Sequence, residues 1–135
     1  MKNLSKICFG CEPLGGVDSG NVDLEEITKA IHKALDLGVN FFDTAEMYAV
    51  PPKKETQGST EKIIGSWFKE RKSRDKVILA TKVSGRSPLN WLRDNEKPTE
   101  QSRDQIFEAI DKSLSRLGVD SVSYTHLRAH ETEYD

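Results

Sequence analysis

GVNFFDTAEMY, residues 38–48, is the stretch on which the fold turns. Its apolar run ends on Asp43, and Tyr48 follows five positions later. Phe41 and Phe42 suit a buried strand and Asp43 does not, so something at the strand's end either satisfies that carboxylate or uses it. The near-continuous apolar character of VNFFDTA suits burial on both faces, as in a parallel sheet. Upstream, Asp23 and Glu26 form a capping-box pattern, and Ile27, Ala30, Ile31, Ala34 and Leu35 share one helical face that ends at Gly38 as a C′ residue. Further back, KICFG (6–10) reads as a short strand that stops at Gly10, and a Gly-rich loop carries the chain to Asp23.

Downstream the same alternation continues. AVPPKKETQGS (49–59) is a long loop, because Pro51 and Pro52 remove two donors and Gly58 closes a polar run. Ser59 or Thr60 is expected to cap a second helix, with Ile63, Ile64, Trp67 and Phe68 on one side and Lys69, Arg71 and Lys72 near its end. KVILATKV (76–83) is the clearest strand. SGRSPLNWLRDNEKPTE (84–100) is irregular and charged, and leads to a third helix with Ser102 and Gln105 as a capping box. That helix presents Ile106, Ala109, Ile110, Leu114 and Leu117, and Gly118 closes it.

The order β-α-β-α-β-α, with strands starting about 35 residues apart, calls for a parallel sheet with crossover helices. A (β/α)8 barrel needs roughly 250 residues, and 135 residues supply three β/α units plus the start of a fourth. A small open α/β sheet closes with fewer strands, so periodicity leaves both architectures standing. In each, long loops after strands are where chemistry gathers.

Bulk properties narrow the function. Twenty Lys and Arg against 22 Asp and Glu give a formal charge of −2, with the bases scattered, which argues against nucleic acid. No apolar run approaches the ~20 residues that span a bilayer, and MKNLSKICFG lacks the apolar core of a signal peptide, so a cytoplasmic protein with no membrane partner is expected. Cys8 and Cys11 have C-x-x-C spacing. The turn-like EPLGG after them argues against a redox pair opening a helix, and His32, His126 and His130 offer no paired metal spacing, so no metal is expected.

In a parallel sheet the ends of the second and third strands share a rim, so Asp43, Tyr48 and Lys82 should gather at one mouth. An ammonium beside a phenol favours the phenolate, and a carboxylate paired to the ammonium keeps it charged and aimed. The set makes a proton donor suited to a developing alkoxide. Singly, each residue has a plainer reading: Asp43 as an Asx turn, Tyr48 as a loop anchor, Lys82 as a solvated strand end.

The set and its frame resemble the aldo-keto reductases over residues 4 to about 122. GVNFFDTAEMY is similar to their second strand and loop, VILATKV to their third strand, and SLSRLGVDSV (113–122) to the lead-in to their fourth. The loop AEMYAVPPKKETQGSTE resembles a subgroup typified by the bacterial protein Tas. The resemblance implies a parallel (β/α)8 barrel of TIM type and an NADP(H)-dependent oxidoreductase that reduces aldehydes or ketones. It implies Tyr48 as proton donor tuned by Lys82 and Asp43, with Gly10, Cys11 and Asp43 near the nicotinamide and a small carbonyl compound as substrate. A non-enzymatic relative that keeps the fold to bind nucleotide or protein, as the potassium-channel β subunits resemble reductases, is the alternative.

The resemblance breaks at the end. The family's fourth strand carries a histidine that hydrogen-bonds the substrate carbonyl; counted from Val122, Arg128 takes its place, and His126 lies two residues early, about 6–7 Å lower on the same side. Residues 123–135 are too polar for a core parallel strand. Residues 1–122 are therefore expected to be the N-terminal part of a reductase barrel, and 123–135 a tail of foreign or frame-shifted origin. As written, the chain is expected to be inactive and to leave the barrel-facing side of its strands wet.

Overall fold

In the computed structural model the described residues are 3–16 and 23–127. Four strands, β1 (Cys8–Gly10), β2 (Phe41–Asp43), β3 (Ile78–Val83) and β4 (Tyr124–Leu127), pair in the order β1-β2-β3-β4. All three pairings are parallel. Between them run α1 (Leu24–Asp36), α2 (Ser59–Arg71) and α3 (Arg103–Leu117), with a 3-10 turn at Arg74–Lys76 leading into β3. A parallel neighbour needs a long crossover, and each helix supplies one.

Register sorts the side chains into two faces. Cys8 lies beside Phe41 and Gly10 beside Asp43; Phe41 and Asp43 in turn lie beside Ile78 and Ala80. Partners in a parallel ladder point the same way, so these residues share one face with Lys82, Tyr124 and His126. The alternate residues Phe9, Phe42 and Leu79 face the helices and pack with Ile27 and Ile31 of α1, Ile64, Trp67 and Phe68 of α2, and Leu117 of α3. Phe9, Phe42, Trp67 and Phe68 form a chain of ring contacts at 5.2, 5.6 and 5.3 Å between centroids.

Glycine sets how closely α2 and α3 approach. A Cβ at Gly65 would lie 2.6 Å from the Arg116 carbonyl oxygen and 2.8 Å from that of Leu117, so only hydrogen fits at this crossing. Close by, the buried Glu61 accepts from Thr81 Oγ1 at 2.7 Å and from Arg116 Nε at 2.7 Å, which ties α2 to β3 and to α3.

Helix boundaries follow the sequence pattern better than the caps do. Asp23 caps α1 by accepting from Glu25 N at 3.1 Å, and Gly38 follows with φ 88°. The cap of α2 is Gly58, in the left-handed region at φ 75°, whereas Ser59 and Thr60 are already helical. Their hydroxyls donate instead to the carbonyls of Gly15 and Leu14 at 3.1 and 2.6 Å, anchoring the loop after β1. Ser102 is the N-cap of α3 without a side-chain bond, and the Gln105 side chain, the expected partner in a capping box, is drawn to Arg93 instead.

The segment from Tyr124, read as too polar for a core strand, pairs with Ala80–Val83 as an edge strand whose side chains at Tyr124, Thr125 and Leu127 are exposed. Backbone pairing needs no apolar side chain, and an edge position does not demand one. Arg128 and residues 129–135 lie outside the described residues.

Candidate active site

The ends of β2 and β3 carry the charged pair. Asp43 is the last residue of β2 and Lys82 lies one residue from the end of β3, on the same face. Lys82 Nζ donates to Asp43 Oδ2 and, at 2.8 Å, to the carbonyl oxygen of Thr44. The chain then turns: Thr44 N donates to Ala80 O at 2.9 Å and Glu46 N to Lys82 O at 3.1 Å, so the loop after β2 is laid along the end of β3. Tyr48, 6% exposed, follows in a turn closed by its N–H on Ala45 O at 3.2 Å. Lys82 Nζ lies 4.9 Å from the centre of the Tyr48 ring. Asp43, Tyr48 and Lys82, predicted to meet at one rim, are brought together there.

Gly10 and Cys11 divide. Gly10 is exposed beside Asp43, and a Cβ there would meet the Glu12 carboxylate at 2.8 Å. The Cys11 N–H donates to Asp43 O at 3.0 Å, but its side chain is fully buried in the helix-side core, so only its main chain borders the rim. Burial, and then the Asp43 charge, push the Cys11 thiol far up. Burial and Asp43 also raise the exposed Cys8 thiol. A redox pair needs a thiolate at neutral pH, and both shifts run the other way.

On β4 the register sets His126 level with Lys82 on the open face, stacked on Tyr124 with ring centres 5.0 Å apart. Its Nδ1 is buried without a hydrogen-bond partner among the described residues.

Sequence reasoning missed a further layer of charge behind this rim. Glu46 and Arg93 are both buried, at 1% and 2% exposure. Two parallel hydrogen bonds of 2.8 and 2.9 Å join the Arg93 fork to both Glu46 oxygens, and Glu46 Oε1 also accepts from Ser84 N at 2.7 Å. Arg93 Nε donates to Gln105 Oε1 at 3.1 Å, which is why Gln105 does not cap α3. The charged look of residues 84–100 hid this, since only pairing shows which charge goes inside.

The sequence pattern of the Aldo/keto reductase family matches residues 6–134. The chain belongs to the aldo/keto reductase family. Among its aldo/keto reductase relatives, the protein Tas of Escherichia coli is 45% identical over 91 residues, which are 64% of this chain and 25% of Tas. Aldo-keto reductase YhdN of Bacillus subtilis is 35% identical over 118 residues, 87% of this chain and 32% of that protein. In three dimensions, a Pseudomonas aeruginosa protein described as an aldo-keto reductase superposes with TM-score 0.70 at 21% identity, over 96% of this chain and 44% of that one. An aldo/keto reductase of Klebsiella pneumoniae, solved with NADP and acetate, gives TM-score 0.66 at 25% identity, over 95% of this chain and 37% of that one. The chain thus spans a quarter to a half of the length of these relatives, and its four parallel strands correspond to part of an aldo/keto reductase (β/α)8 barrel.

Proposed function

We propose that this chain carries the proton-donating part of an NADP(H)-dependent reductase of aldehydes or ketones. One observation carries the reading: the Lys82 ammonium is bound by Asp43 and lies over the Tyr48 ring at 4.9 Å, on the ends of adjacent parallel strands. Two acceptors, the Asp43 carboxylate and the Thr44 carbonyl, hold the ammonium in place, and its charge stabilises the phenolate that forms when Tyr48 gives its proton to a substrate oxygen. Lys82 is 7% exposed, where such a charge is felt more strongly than in water. Two relatives support the choice of cofactor. Aldo-keto reductase yakc of Schizosaccharomyces pombe, 35% identical over 93% of this chain and 33% of that protein, carries NADP(+) in its name, and the Klebsiella pneumoniae protein was solved with NADP.

The residues at the rim fit one end of that cofactor. Exposed Gly10, which carries no side chain, the Cys11 main chain beside it and the Asp43 carboxylate offer an open approach and an acceptor, which suits a nicotinamide ribose; none of them is a cation for phosphate. NADPH, when bound, supplies the hydride. Asp43 and Lys82 orient and charge the donor, and Tyr48 delivers the proton.

The test joins residues 1–122 to the remaining β/α units of the Tas relative and follows NADPH oxidation with a reactive aldehyde. Turnover is expected, and Tyr48→Phe should lower kcat by about 100-fold or more. The chain alone is expected to show none, because the rest of the barrel mouth is missing. A chimera whose turnover is unchanged by Tyr48→Phe would remove Tyr48 from the chemistry.

A further inference from the structure

Glu46 grips the end of β3 at Lys82 and at Ser84 just beyond it. Its N–H donates to the Lys82 carbonyl at 3.1 Å, and its carboxylate accepts from Ser84 N at 2.7 Å. Two residues on lies Tyr48, whose own carbonyl accepts from Gly58 N at 2.7 Å; the Glu46 carbonyl accepts from Gln57 Nε2 at 2.8 Å. The carboxylate has no access to water, and its charge is met by Arg93, itself fixed by Gln105 Oε1 and the Leu92 carbonyl at 3.1 Å each. A chain of fixed contacts therefore runs from the N-terminal turn of α3 through Arg93 and Glu46 to the turn that carries Tyr48.

We propose that the Glu46–Arg93 pair is a positioning clamp that holds the Tyr48 ring against the Lys82 ammonium by tying the loop after β2 to the loop after β3. The proposal rests on the reductase reading for its use, but its geometry stands apart from it. A buried ion pair is a weak device for stability alone, since well-packed apolar side chains do as well. What it supplies is direction: a two-pronged fork admits one orientation of the carboxylate, and Ser84 N adds a third fixed point. Neither Glu46 nor Arg93 reaches the open rim, so both act through Tyr48 and Lys82 rather than on substrate.

The experiment labels the whole chain with 3-fluorotyrosine and assigns the three tyrosine signals in 19F NMR by single Tyr→Phe variants. Lys82→Met marks where the residue 48 signal lies once the ammonium is gone. In Glu46→Gln that signal should move most of the way toward the same position, while the residue 124 signal and the far-UV circular dichroism stay unchanged. Arg93→Lys, which keeps the charge and loses the fork, should move it part of the way. A residue 48 signal unmoved in folded Glu46→Gln overturns the clamp. Should Glu46→Gln unfold the chain, Arg93→Lys decides by the same criterion. Unfolding of both variants would make the pair a stability element only and equally overturn it. The reductase reading fails separately, through a chimera indifferent to Tyr48→Phe.

Discussion

Phe41 and Phe42 are neighbours in β2 and face opposite ways. Phe42 is fully buried between Phe9 and Trp67 under the helices, whereas Phe41 is half-exposed on the open face with Cys8, Ile78 and Tyr124. The helix-side face is a finished core; the other face has only the charged rim at one end. The difference teaches that three β/α units suffice to bury one side of a parallel sheet, and that the second side is buried by strands from across a barrel.

The contrast breaks or stands on a pair of substitutions. Phe42→Ala should cost about 3–5 kcal/mol in denaturant unfolding, as for other buried aromatics, while Phe41→Ala should cost about 1 kcal/mol, the transfer of half a ring. Equal losses would mean that the open face is covered in solution. One layer further out, Gly65→Ala should cost about 1–3 kcal/mol, because its Cβ meets the backbone oxygens of Arg116 and Leu117 and not a yielding side chain.

Cysteine sharpens the comparison through pH. The Cys11 thiol is held protonated in the core by burial and by Asp43, so the folded chain keeps this proton more tightly than the unfolded chain. The associated stability is complete below the ordinary thiol pKa of 9.0 and is lost as pH rises above it. The loss should approach about 1.4 kcal/mol per pH unit, one proton's worth, and Cys11→Ala should flatten it. In a native-state thiol assay Cys8, on the open face, should label while Cys11 does not. The smallest effect lies on the far side of the helices, where Lys29 and Glu25 pair at 2.8 Å with both side chains more than half exposed. Lys29→Ala should cost about 0.5 kcal/mol or less, and the cost should vanish in high salt.

Much of this layout was legible in residue order. The strand-helix alternation, the core positions Ile27, Ile31, Ile64, Trp67, Phe68 and Leu117 and the meeting of Asp43, Tyr48 and Lys82 at one rim follow from period, turn residues and the geometry of parallel strands. Ala30, by contrast, is exposed, and α3 buries Gln105 and Ser113 in place of Ile106, Ile110 and Leu114. Caps were less legible, because Ser59, Thr60 and Gln105 have side chains that serve a helix end or a distant partner equally well, and here each took the distant partner. β4 was hidden for another reason: an edge strand is selected by its main chain, on which composition says little.

Local pattern alone determined that β1 to β3 are strands and α1 to α3 helices, and which three chemistry-bearing residues end on the same side of the sheet, since both depend on spacing along the chain. Tertiary structure alone decided which phenylalanine is buried, which of two cysteines is in the core, and which charges go inside. Register chose between Phe41 and Phe42, and the Glu46–Arg93 and Glu61–Arg116 pairs exist only because segments 47 and 55 residues apart meet with matched geometry. A carboxylate is tolerated in the interior only when its partner arrives with it, and that arrival is a property of the fold.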